Sequence, residues 1–250
     1  MKMDNICLLI NTNTKLKDIW PMFFGELETR FPQIKKKYIF VDTTDYNFGE
    51  DYNVVFYDNN KQYRDQLLEC FPQVTEKYCI YIQEDYILYD NVKWDKLCDI
   101  IKLMEINSSI NFVKLMRGTE TTQLIDPDLT MNIPLHYITE SEHYYSTQVT
   151  LWEIDKLRCI FNETPSSHIG GEGNHVHFEI IANKACKEHC TGLLYYNDEE
   201  KRGMHHYDSE IVPYIASALV KGKWNMSEYS KELTPLIDKY NINVNKRGIC

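Results

Sequence analysis

Glu84 and Asp85 are adjacent carboxylates that end the apolar run Tyr78-Cys79-Ile80-Tyr81-Ile82. A short run rich in β-branched and aromatic residues reads as a buried strand. Charge is costly inside such a strand, so the pair belongs at its carboxyl end, where open α/β sheets take their ligands. Two hard oxygen ligands at a strand tip suit a divalent cation riding on a diphosphate. The alternative is that they begin a solvated loop.

A second polar cluster spans 162–179. Gly170, Gly171 and Gly173 surround Glu172, His168, His175 and His177 lie close by, and Glu179 precedes a helix expected over 180–186. Glu179 is then expected near that helix's first turn, where a carboxylate is electrostatically favoured. A glycine-rich loop that carries a carboxylate and histidines into a helix can serve an acceptor hydroxyl and its general base. Read blandly, the same residues are a loop and a first-turn charge. His205 and His206 follow Lys201-Arg202-Gly203. They could supply a late ligand to a cation on Asp85, with the basic residues facing a diphosphate, or form a solvated charged loop. Cys186, His189 and Cys190, which His205-His206 could join, have only part of a zinc-site spacing, and the spacing does not identify a fourth ligand.

The elements that must hold these residues follow from pattern. Strands are expected at 6–10, 37–42 and 54–58 and from 77 to the Glu84-Asp85 pair, with helices over 15–31 and 62–71 between them. Pro21 limits where the first regular helix begins. This alternation predicts an α/β fold with a mostly parallel, doubly wound central sheet. Asn11-Thr12, Asp42, Asp58 and Glu84-Asp85 all fall at strand ends, which gather on one edge of such a sheet. A helix over 95–106, a strand over 111–116, a stretch over 119–141 that is mainly loop with short strands, and a strand or helix start at 146–152 come next. The C-terminal part is expected to be helical, with apolar faces at 211–219 and 233–240.

With 250 residues, 43% of them hydrophobic, the chain can bury one large core, and a single domain is the economical reading. Its formal net charge of −10 excludes a general nucleic-acid binder. No GxGxxG or GxxxxGK[ST] follows the first strand, so any phosphate is held by metal rather than by a glycine cradle. The eight cysteines sit mostly in apolar runs without CxxC pairs, and no stretch approaches a membrane span. A reducing cytoplasmic setting is the expectation.

Gln83-Glu84-Asp85-Tyr86, the segment Ser146-Thr147-Gln148-x-x-Leu151-Trp152, and His177-Phe178-Glu179 at a helix start together resemble small GT-A-fold glycosyltransferases. These are nucleotide-sugar-dependent enzymes of the kind found in bacterial surface-glycan loci and large DNA viruses. The resemblance covers most of the chain and implies a single GT-A-like domain, its nucleotide-sugar half at 1–118 and its acceptor half at 119–250. It implies Mn²⁺ or Mg²⁺ on Asp85, with Glu84 on the ribose or on metal-bound water, and His205 or His206 completing the metal shell. It implies Glu179 as general base of an inverting transfer, with Glu172 the alternate. Asn11, Thr12, Asp42 and Asp58 fall on the nucleotide side, and Gln148, Trp152, His175 and His177 on the acceptor side. The donor would be a nucleoside-diphosphate sugar and the acceptor a glycan or lipid-linked glycan. The sequence departs from the usual Asp-x-Asp in having Tyr86 at the third position, where no carboxylate is available. The competing readings are a sugar nucleotidyltransferase, which wants a glycine-rich basic loop after the first strand, and a non-catalytic nucleotide- or glycan-binding module.

Overall fold

The computed structural model describes residues 5–118, 120–166, 174–197, 199–202 and 206–250. Four parallel strands build the N-terminal part of the sheet: β1 (Ile6–Asn11), β2 (Lys37–Val41), β3 (Tyr52–Phe56) and β4 (Tyr78–Gln83). Strand side chains alternate between faces, and both faces are covered. Leu8, Ile10, Ile80 and Ile82 pack on one side with α1 (Trp20–Arg30) and α3 (Trp94–Ile106). Cys7, Leu9, Cys79 and Tyr81 pack on the other with α2 (Tyr63–Cys70), α4 (Ile154–Glu163) and α5 (Asn174–His189). That two-sided burial is why these strands read as unbroken apolar runs rather than as alternating ones.

Beyond β4 the sheet continues through β5 (Phe112–Lys114), β6 (Thr121–Leu124), β7 (Leu135–Glu140), β8 (Thr150–Glu153) and β9 (Gly192–Tyr195). Nine strands lie in the order β3-β2-β1-β4-β8-β5-β9-β7-β6. The fold is α/β as expected, with β8 inserted antiparallel between β4 and β5. Because β8 opposes both, β4 and β5 point the same way, and their carboxyl ends share one edge. The short strands expected within 119–141 are the antiparallel pair β6 and β7, which borders β9.

Two expectations need correction. The helix that carries Glu179, α5, begins at Asn174 rather than near Ile180. Glu179 therefore lies beyond the first turn, where the helix dipole contributes little. The apolar stretch from Ile211 is not helical. It runs alongside 87–93, with Tyr89 donating to the Pro213 carbonyl at 3.1 Å, Lys93 to Ile211 at 2.8 Å and Ile215 to Ile87 at 2.9 Å. It then turns through the small hairpin of β12 (Leu219–Val220) and β13 (Lys223–Trp224), after the short pair β10 (Lys201–Arg202) and β11 (His206–Tyr207). Lys221 and Gly222 both have positive φ (50° and 76°), as a tight two-residue hairpin turn demands. The α-helix of this part is α6 (Met226–Lys239), which seats Tyr229, Leu233 and Leu236 in the core.

Gly192 on β9 leaves room for the ring of its β5 partner Phe112. A Cβ there would overlap the Phe112 ring, which itself lies 4.3 Å from the Trp152 ring. Gly192→Ala is accordingly expected to destabilise the protein by about 1–3 kcal/mol, the usual range for overpacking, read as a lower denaturation midpoint. An unchanged midpoint would show that this layer can relax.

Candidate functional site

The edge where the parallel strands end carries the acidic pair. Glu84 is buried, and its Oε1 accepts the Asn13 N–H at 3.3 Å. The Thr12 hydroxyl, which accepts the Trp20 indole N–H at 2.7 Å, also donates to Glu84. Glu84 is thus tied to the turn after β1. Asp85 differs: it is partly exposed, and among the described residues no other side chain bonds its carboxylate. Its backbone carbonyl is fixed by the Ala218 N–H at 3.0 Å, which anchors the tip to the C-terminal segment. Tyr86 turns into the core, with its hydroxyl 3.2 Å from that of Thr147. The third position of the motif is a packing residue, which accounts for the missing carboxylate.

Electrostatically this tip stands apart. Several buried or half-buried carboxylates elsewhere meet cations: Glu26 with Arg30 and Lys239, Glu120 with Lys114, Asp18 with Arg247, and Asp208 with Arg202. Among the described residues neither Glu84 nor Asp85 has such a partner. Burial, reinforced by the Asp85 charge, pushes Glu84 up to about 8, and burial pushes Asp85 up to about 7. A pair held so close to its protonated form is a fit for a divalent cation, which would supply the missing positive charge. Asp85 is the free donor, with oxygens of a diphosphate and water completing the shell. No group of three His, Cys, Asp or Glu side chains is assembled for a metal among the described residues.

The other nucleotide-side residues share the edge but differ in freedom. Asn11 ends β1, and its buried Oδ1 has no partner. Thr12 is fully buried and its hydroxyl is engaged, so its side chain supports the turn rather than reaching a ligand. Asp42 accepts from the Thr14 N–H at 2.9 Å and the Thr14 hydroxyl at 2.7 Å, which closes the turn after β1. Asp58 is exposed and caps Asn60.

Across β8 lies a cavity of about 190 Å³, lined by residues including Lys114, Glu120, His143, Gln148 and Glu179. Glu179 Oε1 accepts both the N–H (2.5 Å) and the hydroxyl (2.8 Å) of Thr147. The Thr147 hydroxyl also meets that of Tyr86, so Glu179 is joined to the acidic tip through two side chains. Gln148 lines the cavity while accepting the Tyr214 hydroxyl at 2.8 Å.

Trp152 requires correction: at 1% exposure it is core, packed against the rings of Phe112 and Tyr145, and no acceptor can touch it. A central strand covered on both faces hides its large aromatics. Arg202 is also not free for a diphosphate, since Asp208 (2.7 Å) and Glu232 (2.8 Å) hold it. Glu172 and His205 lie outside the described residues. So do the side chains of His175 and His177, on α5, and of His206, on β11. Cys186 and Cys190 are free thiols within hydrogen-bonding reach of each other; none of the eight cysteines forms a disulfide. Sequence reasoning missed the buried Lys114–Glu120 ion pair (2.6 Å) on the cavity wall. The one available signal was a lysine closing an apolar strand.

The raised carboxyls set a pH dependence. A carboxyl whose folded pKa exceeds its unfolded value gives stability that is complete below the unfolded pKa and lost as pH rises through the folded one. The window here runs from about pH 5 to about pH 9. The metal-free protein is expected to lose melting temperature across it, with Asp85→Asn flattening the slope. Mn²⁺ is expected to raise the melting temperature more at about pH 8 than at about pH 6, because a ligand must be deprotonated to bind. A metal-free melting curve that is insensitive to pH here, or equal slopes in both proteins, would contradict this.

No family profile matches the sequence, and no curated protein matches it. Among solved structures, S. aureus TarS 1–349 aligns over 94% of this chain with a TM-score of 0.51 and 11% identity. The chain spans 64% of that fragment's own length. CMP:2-keto-3-deoxy-manno-octonic acid synthetase, solved with CTP, aligns over 76% of this chain and 90% of its own (TM-score 0.47, 10% identity). The mannosyltransferase PcManGT from Pyrobaculum calidifontis, solved with GDP-Man and Mn²⁺, aligns over 78% and 55% (TM-score 0.45, 8% identity). No helix among the described residues is long and apolar enough to cross a membrane. What this chain shares with TarS at such identity is its fold, a GT-A-like α/β architecture.

Proposed function

We propose that the protein is a metal-assisted glycosyltransferase that moves a sugar from a nucleoside diphosphate to the hydroxyl of a glycan or similar acceptor. The observation that carries this reading is the acidic tip of β4: two adjacent carboxylates without a basic partner, joined through Tyr86 and Thr147 to a third carboxylate on a cavity wall. Asp85 would hold Mn²⁺ or Mg²⁺, and the cation would neutralise charge on the departing diphosphate. Asn11, at the same edge and with a buried Oδ1 that has no partner among the described residues, would serve the nucleotide side.

Glu179 acts as base. Thr147 fixes its Oε1 and leaves Oε2 to take the proton of an acceptor hydroxyl in the cavity. The acceptor oxygen then bonds to the anomeric carbon while the bond from that carbon to the diphosphate oxygen breaks. Attack from the cavity side, opposite the leaving group, makes the transfer inverting. The nucleotidyltransferase reading is weaker: the turn after β1 is closed by Asp42 on Thr14 and is not a basic glycine-rich loop.

Asp85→Asn is expected to abolish the Mn²⁺-dependent rise in melting temperature given by a nucleoside diphosphate. Glu179→Gln is expected to keep that rise while lowering sugar transfer by about 10²–10⁴, the range for loss of a general base. Full transfer by a folded Glu179→Gln protein would remove the base assignment. A nucleotide shift indifferent to both Mn²⁺ and Asp85→Asn would remove the donor site.

A further inference from the structure

Five of the six arginines are paired with carboxylates: Arg30 with Glu26, Arg64 with Asp65, Arg158 with Asp155, Arg202 with Asp208 and Arg247 with Asp18. Arg117 is the exception among the described residues. It follows β5, on the edge shared with Asp85, and its chain neighbours Met116 and Gly118 both line the cavity that Glu179 faces. Its guanidinium is clamped between the rings of Tyr196 and Tyr207, 4.0 Å from each centroid. The outer face of Tyr196 is covered in turn by His136, whose ring stacks parallel to it at 4.2 Å. The Tyr207 N–H donates to the Arg117 carbonyl at 2.9 Å, which ties the pile together at its base.

With both faces covered, the guanidinium can act only through its edge. One N–H of that edge goes to the Asn197 carbonyl at 3.2 Å, and among the described residues no carboxylate takes the rest. Asn197 is itself buried, and its side-chain oxygen has no partner. A planar cation held rigid between aromatic faces, with its fork open and an unused hydrogen-bond acceptor beside it, is prepared for an oxyanion that carries hydroxyl groups.

We infer that Arg117 recognises an anionic group, phosphate or carboxylate, on the acceptor sugar, with Asn197 accepting from a neighbouring hydroxyl. The identity of this ligand as acceptor rests on the glycosyl-transfer reading; the anion preference of the site does not.

The test is an NMR titration of protein with labelled tyrosine rings, using glucose 6-phosphate, glucuronate and glucose as probes and inorganic phosphate as competitor. Glucose 6-phosphate or glucuronate is expected to shift the Tyr196 and Tyr207 rings at least tenfold more tightly than glucose, and the tighter of the two tells phosphate from carboxylate. Arg117→Gln is expected to erase the preference; Arg117→Lys, which keeps charge but loses the fork, to retain only part of it. Equal binding of anionic and neutral probes, no anion-dependent ring shift in the wild type, or a preference that survives Arg117→Gln would each overturn the inference. Mn²⁺-dependent UDP-glucose binding, measured on the same samples, separates the two proposals. Its absence alongside an intact anion preference would count against the transferase reading alone.

Discussion

Uncompensated negative charge at the end of one central strand is the constraint around which this molecule is arranged. Two adjacent carboxylates are placed where burial raises both, and the described fold brings no lysine or arginine to meet them. Such an arrangement is unfavourable for the isolated chain. The surrounding structure holds it in place nonetheless: Asn13 and Thr12 grip Glu84, and Ala218 fixes the Asp85 backbone. Tyr86, the next residue, is locked into the core against Thr147 and Tyr214. The elements nearest the tip therefore serve to keep it from relaxing.

The same geometry joins the two halves of the sheet. Strand β8 runs back between β4 and β5, and the residues just before it, Thr147 and Gln148, pass beside the acidic tip. Thr147 bonds Tyr86 on one side and Glu179 on the other, so a donor-side residue and an acceptor-side residue share one hydroxyl. Gln148 and Tyr214 tie this crossing to the C-terminal segment. A displacement at either side would be felt at the other through these short contacts. On this account the positioning of Glu179 depends more on Thr147 than on the helix that carries it.

Much of this was legible in the sequence, and what was not has physical causes. The apolar run closed by Glu84-Asp85 could only be a buried strand with its charges at the end, and the polar ends of β1 and β2 read the same way. Trp152 misled because an aromatic beside polar residues looks like a binding platform, whereas a strand in mid-sheet conceals it on both faces. The stretch from Ile211 has apolar residues at helical spacing, yet the exposed backbone of 87–93 offers it partners, and pairing prevails over periodicity. Arg117 carried no signal at all. Its tyrosines are remote in sequence, and only the meeting of β5 and β9 with the segment around Tyr207 assembles the clamp.

The central claim is that Asp85 holds a cation which in turn holds a diphosphate, and anomalous diffraction addresses it most directly. Crystals soaked with manganese and a nucleoside diphosphate should show an anomalous peak between the Asp85 carboxylate and the diphosphate oxygens, lost in Asp85→Asn crystals. A bound nucleotide with no peak at that position, or manganese bound elsewhere, would contradict the account.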